Sequence, residues 1–170
     1  VENSPHTIFL ESGGSAGPDS RWTILAFDPL WRLELRGGAL WRIEGSATAS
    51  IPGPPLQALA RAWPPRVALE AGAIAEAGAL AGVSIPFASG LAGYLSYDLK
   101  DQIERYPHRA RRESSCADLS LGFYDAVWAW ERSSGRGWVL ATGLPEKDSR
   151  RRVERAKARL ALQWERIVGA

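Results

Sequence analysis

The sequence predicts an α+β fold built on antiparallel sheet. Three observations predict it: two pairs of strand-like segments joined by glycine-containing turns, a helix-period segment between the pairs, and a long helix-period tail. At 170 residues the chain suits one domain, residues 1–170, able to bury roughly two thirds of its unfolded surface.

The run WTILAF, Trp22 to Phe27, is rich in strand formers and is ended by Asp28-Pro29. Trp31, Leu33 and Leu35 then alternate with Arg32 and Glu34. Beyond Gly37-Gly38, Ala39, Trp41 and Ile43 alternate with Leu40 and Arg42. Period two about a glycine turn predicts a hairpin whose buried face carries Trp31, Leu33, Trp41 and Ile43.

In PPLQALARAW the period changes. Leu56, Leu59, Ala60 and Trp63 recur at helical spacing, Pro55 suits a first turn, and Pro64-Pro65 stops the helix. The stretch from Ala68 to Gly82, rich in alanine and glycine, reads as a loosely specified connection with a short helix. GLAGYLSYD, Gly90 to Asp98, predicts a strand with Tyr94 and Tyr97 on opposite faces by parity. LKDQIERY predicts one or two helical turns, and HRARRESS an exposed loop. LSLGFYDAVWAWE, Leu119 to Glu131, returns to strand character and pairs, through Ser133 to Arg136, with GWVLAT. From Asp148 to Val168 an apolar stripe of Val153, Ala156, Leu160, Trp164 and Ile167 predicts a helix, capped by Asp148 or Ser149 and ended near Gly169.

Composition excludes several classes of function. Apolar residues make up 45% and charged residues 24%, as expected of a soluble globular protein. A net charge of +2 gives no electrostatic case for nucleic acid, which wants a concentrated basic face. The single cysteine, Cys116, excludes an internal disulfide framework and implies a reducing, cytoplasmic compartment. No apolar run approaches the roughly 18–20 residues of a membrane-spanning helix, and VENSPH has no signal-peptide character. The lack of any methionine implies a processed or excised piece. Two histidines, His6 and His108, are thin material for acid–base catalysis.

No motif carries catalysis. Gly90 and Gly93 fail as a phosphate loop, because Tyr94 and Leu95 stand where a Walker loop needs lysine and a hydroxyl residue. The bland reading is that each glycine lets a backbone or a ring approach closely. ESGGSAG, Glu11 to Gly17, resembles an anion loop but has no helix after it. Cys116 has no second cysteine at metal-binding spacing, and no orienting group marks a Cys116–His108 pair. The basic run of Arg105, Arg109, Arg111 and Arg112 reads as a solvated loop. The tail's Arg150, Arg151, Arg152 and Arg155 read as a helix exterior. Most of the eight tryptophans fall at apolar-phase positions, where core packing is the default.

PFASGLAGYLSYDLKDQIERYP, Pro86 to Pro107, resembles a segment of the large subunits of anthranilate synthase and aminodeoxychorismate synthase. FLESGG followed by RWTILAFDPLWRLE resembles the same family's L-E-S, then R-Y/W-S, then D-P series. PPLQALARAW resembles its helix after the first hairpin, and ADLSLGFYDAVWAWE its P-D…G-x-Y-D strand. The resemblance runs collinearly from Phe9 to about Ala161. YLSYDL with IERYP looks more like the aminodeoxychorismate (para-aminobenzoate, folate) branch, while LES is equally at home in the anthranilate (tryptophan) branch. Phe9 and Trp22 are bulkier than the family's usual residues there.

The resemblance implies the non-catalytic N-terminal lobe of a chorismate-aminating enzyme. Its antiparallel sheets would form half of a β-sandwich with flanking helices. The C-terminal chorismate-binding domain, with its Mg2+ carboxylates and catalytic residues, would lie outside this chain, which itself would hold no cofactor and be inactive alone. A glutamine amidotransferase subunit would supply ammonia. A tryptophan-type pocket near the seam would be lined by Leu10, Glu11 and Ser12, braced by Arg21 through pairing with Glu11, with Gly90 and Tyr94 close by. A serine hydroxyl can bond an amino group and a carboxylate can balance its charge; for Glu11 the bland alternative is a surface charge. Two other readings are a free-standing amino-acid-binding module and a docking domain for the glutaminase. An isolated lobe would expose apolar surface and self-associate.

Overall fold

The computed structural model describes residues 6–14, 20–64, 83–104 and 116–168. The described strands are β1 (Ile8–Glu11), β2 (Trp22–Ala26), β3 (Trp31–Arg36), β4 (Ala39–Glu44), β5 (Ala47–Ile51), β6 (Gly90–Leu95), β7 (Leu119–Tyr124), β8 (Ala126–Glu131) and β9 (Arg136–Ala141). The helices are α1 (Pro55–Ala62), a 3-10 helix at Tyr97–Gln102, and α2 (Ser149–Val168). The strands form two sheets, a four-stranded β1-β2-β8-β9 and a five-stranded β5-β4-β3-β7-β6; β1 with β2, β2 with β8, β8 with β9, β3 with β4 and with β7, and β4 with β5 all pair antiparallel. The fold is therefore α+β on antiparallel sheet, as the alternating patterns predicted. The chain divides into two compact units, one around each sheet. The alanine-rich stretch Ala68 to Gly82, the basic run with His108, and Gly169 lie outside the described residues. No described helix is long and apolar enough to cross a membrane.

In the five-stranded unit, β3 is central and most of it is buried. Its hairpin with β4 turns on Gly37 and Gly38, whose φ values of 59° and 75° are the left-handed pair a two-residue turn requires. That turn sets the register: Leu33 faces Arg42, Glu34 faces Trp41 and Leu35 faces Leu40. Residues directly opposite share a face. The buried face thus carries Trp31, Leu33 and Leu35 with Leu40 and Arg42, and the expectation that Trp41 and Ile43 share it is corrected by one position. Arg42 stacks its guanidinium over Trp31, 4.2 Å from the ring centroid. On the opposite face the Glu34 carboxylate is buried and accepts from Arg32 at 2.9 Å and Arg36 at 2.8 Å.

Two elements of this unit depart from the sequence reading. A further strand, β5, follows the Gly45-Ser46 turn in register with β4; its small residues carry no apolar alternation. In α1, Ala58 is wholly buried, and Trp63 is exposed rather than part of the inward stripe. Trp63 precedes Pro64, which drives it to extended backbone (ψ 127°) and out of the helix.

Strand β6 ends at Leu95, so Tyr97 belongs to the 3-10 helix and the parity argument for the two tyrosines does not reach it. Gly93 lies against β7: a Cβ there would sit 2.0 Å from the Ser120 carbonyl oxygen.

In the four-stranded unit, β1 is a strand that the alternating patterns did not single out. The segment Leu119 to Glu131, expected as one strand, breaks at Asp125 into β7 and β8, which belong to different sheets. Thr142 bonds the Asp125 carbonyl through its N–H at 2.9 Å.

Helix α2 spans the predicted residues, and Ala156, Leu160 and Ile167 of the expected stripe are covered, but the inward face is rotated from the predicted one. Val153 and Trp164, expected inside, are exposed, and the covered positions include Arg152, Ala156, Arg159, Gln163 and Ile167. Guanidinium contacts explain the rotation. Arg152 donates to the Thr142 carbonyl at 2.9 Å, Arg155 to the Leu144 carbonyl at 2.9 Å, and Arg159 to the Asp28 carbonyl at 3.1 Å. Trp164 still stacks on Trp128, with centroids 5.7 Å apart.

Candidate ligand-binding site

The four-stranded sheet gathers four of the residues singled out in the sequence. Leu10 and Glu11 lie in β1 opposite Ile24 and Thr23 of β2, which pair in turn with Ala129 and Trp130 of β8. Alternation along the strand puts Leu10 on one face with Ile24 and Ala129, and Glu11 on the other with Thr23 and Trp130. Ser12 follows the strand, its N–H bonded to the Trp22 carbonyl at 3.3 Å. The next even position after Leu10, it continues that residue's side of the sheet, so the structure brings Leu10 and Ser12 together and separates Glu11 from both.

Arg21 is paired with Glu131 rather than with Glu11. The reason lies in the register, which sets Trp22, the next residue, directly opposite Glu131. The Glu131 carboxylate is buried and also accepts from the Ser134 hydroxyl at 2.6 Å. This Ser134 hydrogen bond first, and then Arg21 and Arg136, hold its carboxyl below the usual glutamate range against the opposing effect of burial.

Beside this pair runs a row of cations and rings. Arg21 lies over Trp22 at 5.3 Å, Trp22 packs against Trp138 at 5.8 Å between centroids, and Arg136 lies over Trp138 at 5.2 Å. Trp22, Trp138 and Arg136 share the sheet face that carries Leu10 and Ile24. That face therefore offers an aliphatic wall, indole rings and a hydroxyl-bearing turn, a chemistry suited to a small amphipathic ligand.

The other two candidates belong to β6. Gly90 opens β6 at φ 142°, where a Cβ would lie 3.2 Å from the Phe87 ring. Tyr94 lies in β6 of the five-stranded sheet, half-exposed. Cys116 is exposed, and among the described residues no group of three or more His, Cys, Asp or Glu could hold a metal ion. The sequence reading missed Glu131, at the end of β8, and Arg132 and Ser134 in the polar hairpin turn after it. Trp138 was read as strand only. Nothing in their local pattern sets them apart; only strand pairing brings them to Leu10 and Ser12.

No protein-family model matches the chain. Its fold is of the class seen in anthranilate synthase component I from Streptococcus pneumoniae, with a TM-score of 0.66 at 18% identity, covering 97% of this chain and 32% of that one. Anthranilate synthase component 1 of Mycobacterium tuberculosis is 29% identical over 153 residues, 89% of this chain and 28% of its own length. Aminodeoxychorismate synthase component 1 of Salmonella typhimurium is 29% identical over 129 residues, 76% of this chain and 26% of its own length. The chain is thus a homologue of the N-terminal portion of these component I proteins, and it spans little more than a quarter of their length.

Proposed function

We propose that the chain is the non-catalytic N-terminal lobe of an aminodeoxychorismate (para-aminobenzoate) synthase component I. The observation that carries the reading is the collinear homology to component I proteins over most of the chain. In the intact enzyme the lobe packs on a chorismate-binding domain, which holds Mg2+ and the reacting groups, and a glutamine amidotransferase subunit supplies ammonia. The lobe contributes part of a tryptophan-type pocket, with Leu10 and Ser12 on its wall and Arg21 behind it. Their shared side of the four-stranded sheet, next to Trp22 and Trp138, supports this. YLSYDL followed by IERYP favours the aminodeoxychorismate branch. The longer match, 153 residues against 129, favours an anthranilate synthase component I as second reading.

A chimera tests the proposal. The chain replaces the matching portion of the Salmonella component 1, and the product formed from chorismate with Mg2+ and ammonium is identified. A folded chimera that makes aminodeoxychorismate supports the reading; one that folds and makes no product contradicts it. In parallel, the full-length protein carrying this chain decides the branch, since anthranilate as its product selects the second reading. Exposed Phe9, Trp130 and Trp164 support self-association of the lobe alone, and sedimentation of a strict monomer at high concentration contradicts it.

A further inference from the structure

We infer that Arg132 is a positioning residue for the Ser12 wall of the ligand site. The inference deepens the proposed function and rests on it for the identity of the ligand. The Arg132 guanidinium reaches across to the turn that follows β1, donating to the carbonyl of Ser12 and, at 3.4 Å, to that of Gly14.

The two sides of this contact differ in stiffness. On the arginine side, the Arg132 N–H bonds the Arg21 carbonyl at 2.9 Å and the Gly135 N–H bonds the Glu131 carbonyl at 2.9 Å. Ser134 ties the same hairpin to Glu131 through its hydroxyl. On the other side, Ser12 has one backbone bond, at 3.3 Å, to Trp22. Gly13 and Gly14 have open space where a Cβ would be, and Gly14 stands at φ 87°. Neither glycine therefore presses a side-chain position against a neighbour. A guanidinium fork can hold two carbonyls in one plane, whereas a lysine ammonium acts as a single point donor. Arg132 thereby transfers the rigidity of the β8–β9 hairpin to the peptide units flanking the Ser12 hydroxyl.

The test compares the chain with Arg132→Gln and Arg132→Lys by three measurements: tryptophan titration in a calorimeter, hydrogen exchange of the Gly13 and Gly14 amides, and the thermal unfolding midpoint. A turn released by the change must be ordered again on binding, which predicts about a tenfold weaker affinity in Arg132→Gln. Faster exchange at Gly13 and Gly14, an unchanged midpoint and partial rescue by Arg132→Lys are expected with it. Unchanged affinity, or unchanged exchange in the turn, overturns the inference. So does a fall in the midpoint large enough to account for the weaker binding, which would make the residue merely structural. If Arg132→Gln does not fold, Arg132→Lys is read alone, with intermediate affinity and intermediate exchange expected. Absence of tryptophan binding by the unaltered chain counts against the tryptophan pocket, and the exchange measurement then decides the role of Arg132 by itself.

Discussion

Asp125 and Arg159 form an ion pair at 2.9 Å in which the carboxylate has no solvent exposure at all. The arginine comes from α2 and the aspartate from the bend where β7 gives way to β8. Arg159 also bonds the Asp28 carbonyl, so one side chain ties the helix to two turns. Removing one member of a buried pair leaves a charge without compensation, at a cost of about 3–5 kcal/mol. Arg159→Leu should therefore lose that much stability in urea unfolding, and Arg159→Leu with Asp125→Leu should lose less than the single change. Equal stability of the single variant and the unaltered chain would contradict the pair's role.

Gln163 is wholly buried on the inward face of α2, and among the described residues neither of its side-chain polar atoms has a hydrogen-bond partner. An unpartnered buried polar group costs about 1–3 kcal/mol. Gln163→Met keeps the shape and removes the amide, so the unfolding midpoint should rise. A lower midpoint would mean that the amide is satisfied in solution.

Glu131 gives stability a pH dependence of known sign. Its folded-state pKa lies below the ordinary value of 4.5, through Ser134 first and Arg21 after it. The stabilisation is therefore complete above the unfolded-state value and is lost as pH falls through the folded one. The stability advantage over Glu131→Gln should be constant near neutrality and shrink below about pH 4.5. Denaturant melts at neutral pH and at strongly acid pH check this; an advantage that grows on acidification would reverse the sign.

At Gly93 a methyl group has no room, since the Ser120 carbonyl oxygen would lie 2.0 Å away and φ is 155°. Overpacking against backbone and an unfavourable φ together predict a loss of about 3 kcal/mol or more for Gly93→Ala. At Gly37, with φ 59° and open space, only the left-handed backbone is penalised, so Gly37→Ala should lose about 1–2 kcal/mol. Comparable losses at both sites, measured in urea, would argue against the close approach.

The two hairpins and both helices were legible because hydrophobic period and glycine or proline punctuation are local signals. What was not legible depended on partners distant in the chain. The β4 face is set by the two-residue turn rather than by apolar content, and its Leu40 faces in while Trp41 does not. The α2 face is set by carbonyls in the turns and connections that follow strands, which draw Arg152, Arg155 and Arg159 inward and leave Val153 and Trp164 outside. The same holds at the candidate site. Leu10 and Ser12 could be singled out by resemblance, but the Arg21–Glu131 pair follows from β2–β8 register.

On the proposed reading this chain builds scaffold and one wall of a ligand site, while bond-making groups belong to another part of the intact protein. The most direct test incubates the purified chain with chorismate, Mg2+ and ammonium and follows aromatic or amino-cyclohexadiene product. The account predicts none; Mg2+-dependent amination by the chain alone would contradict it.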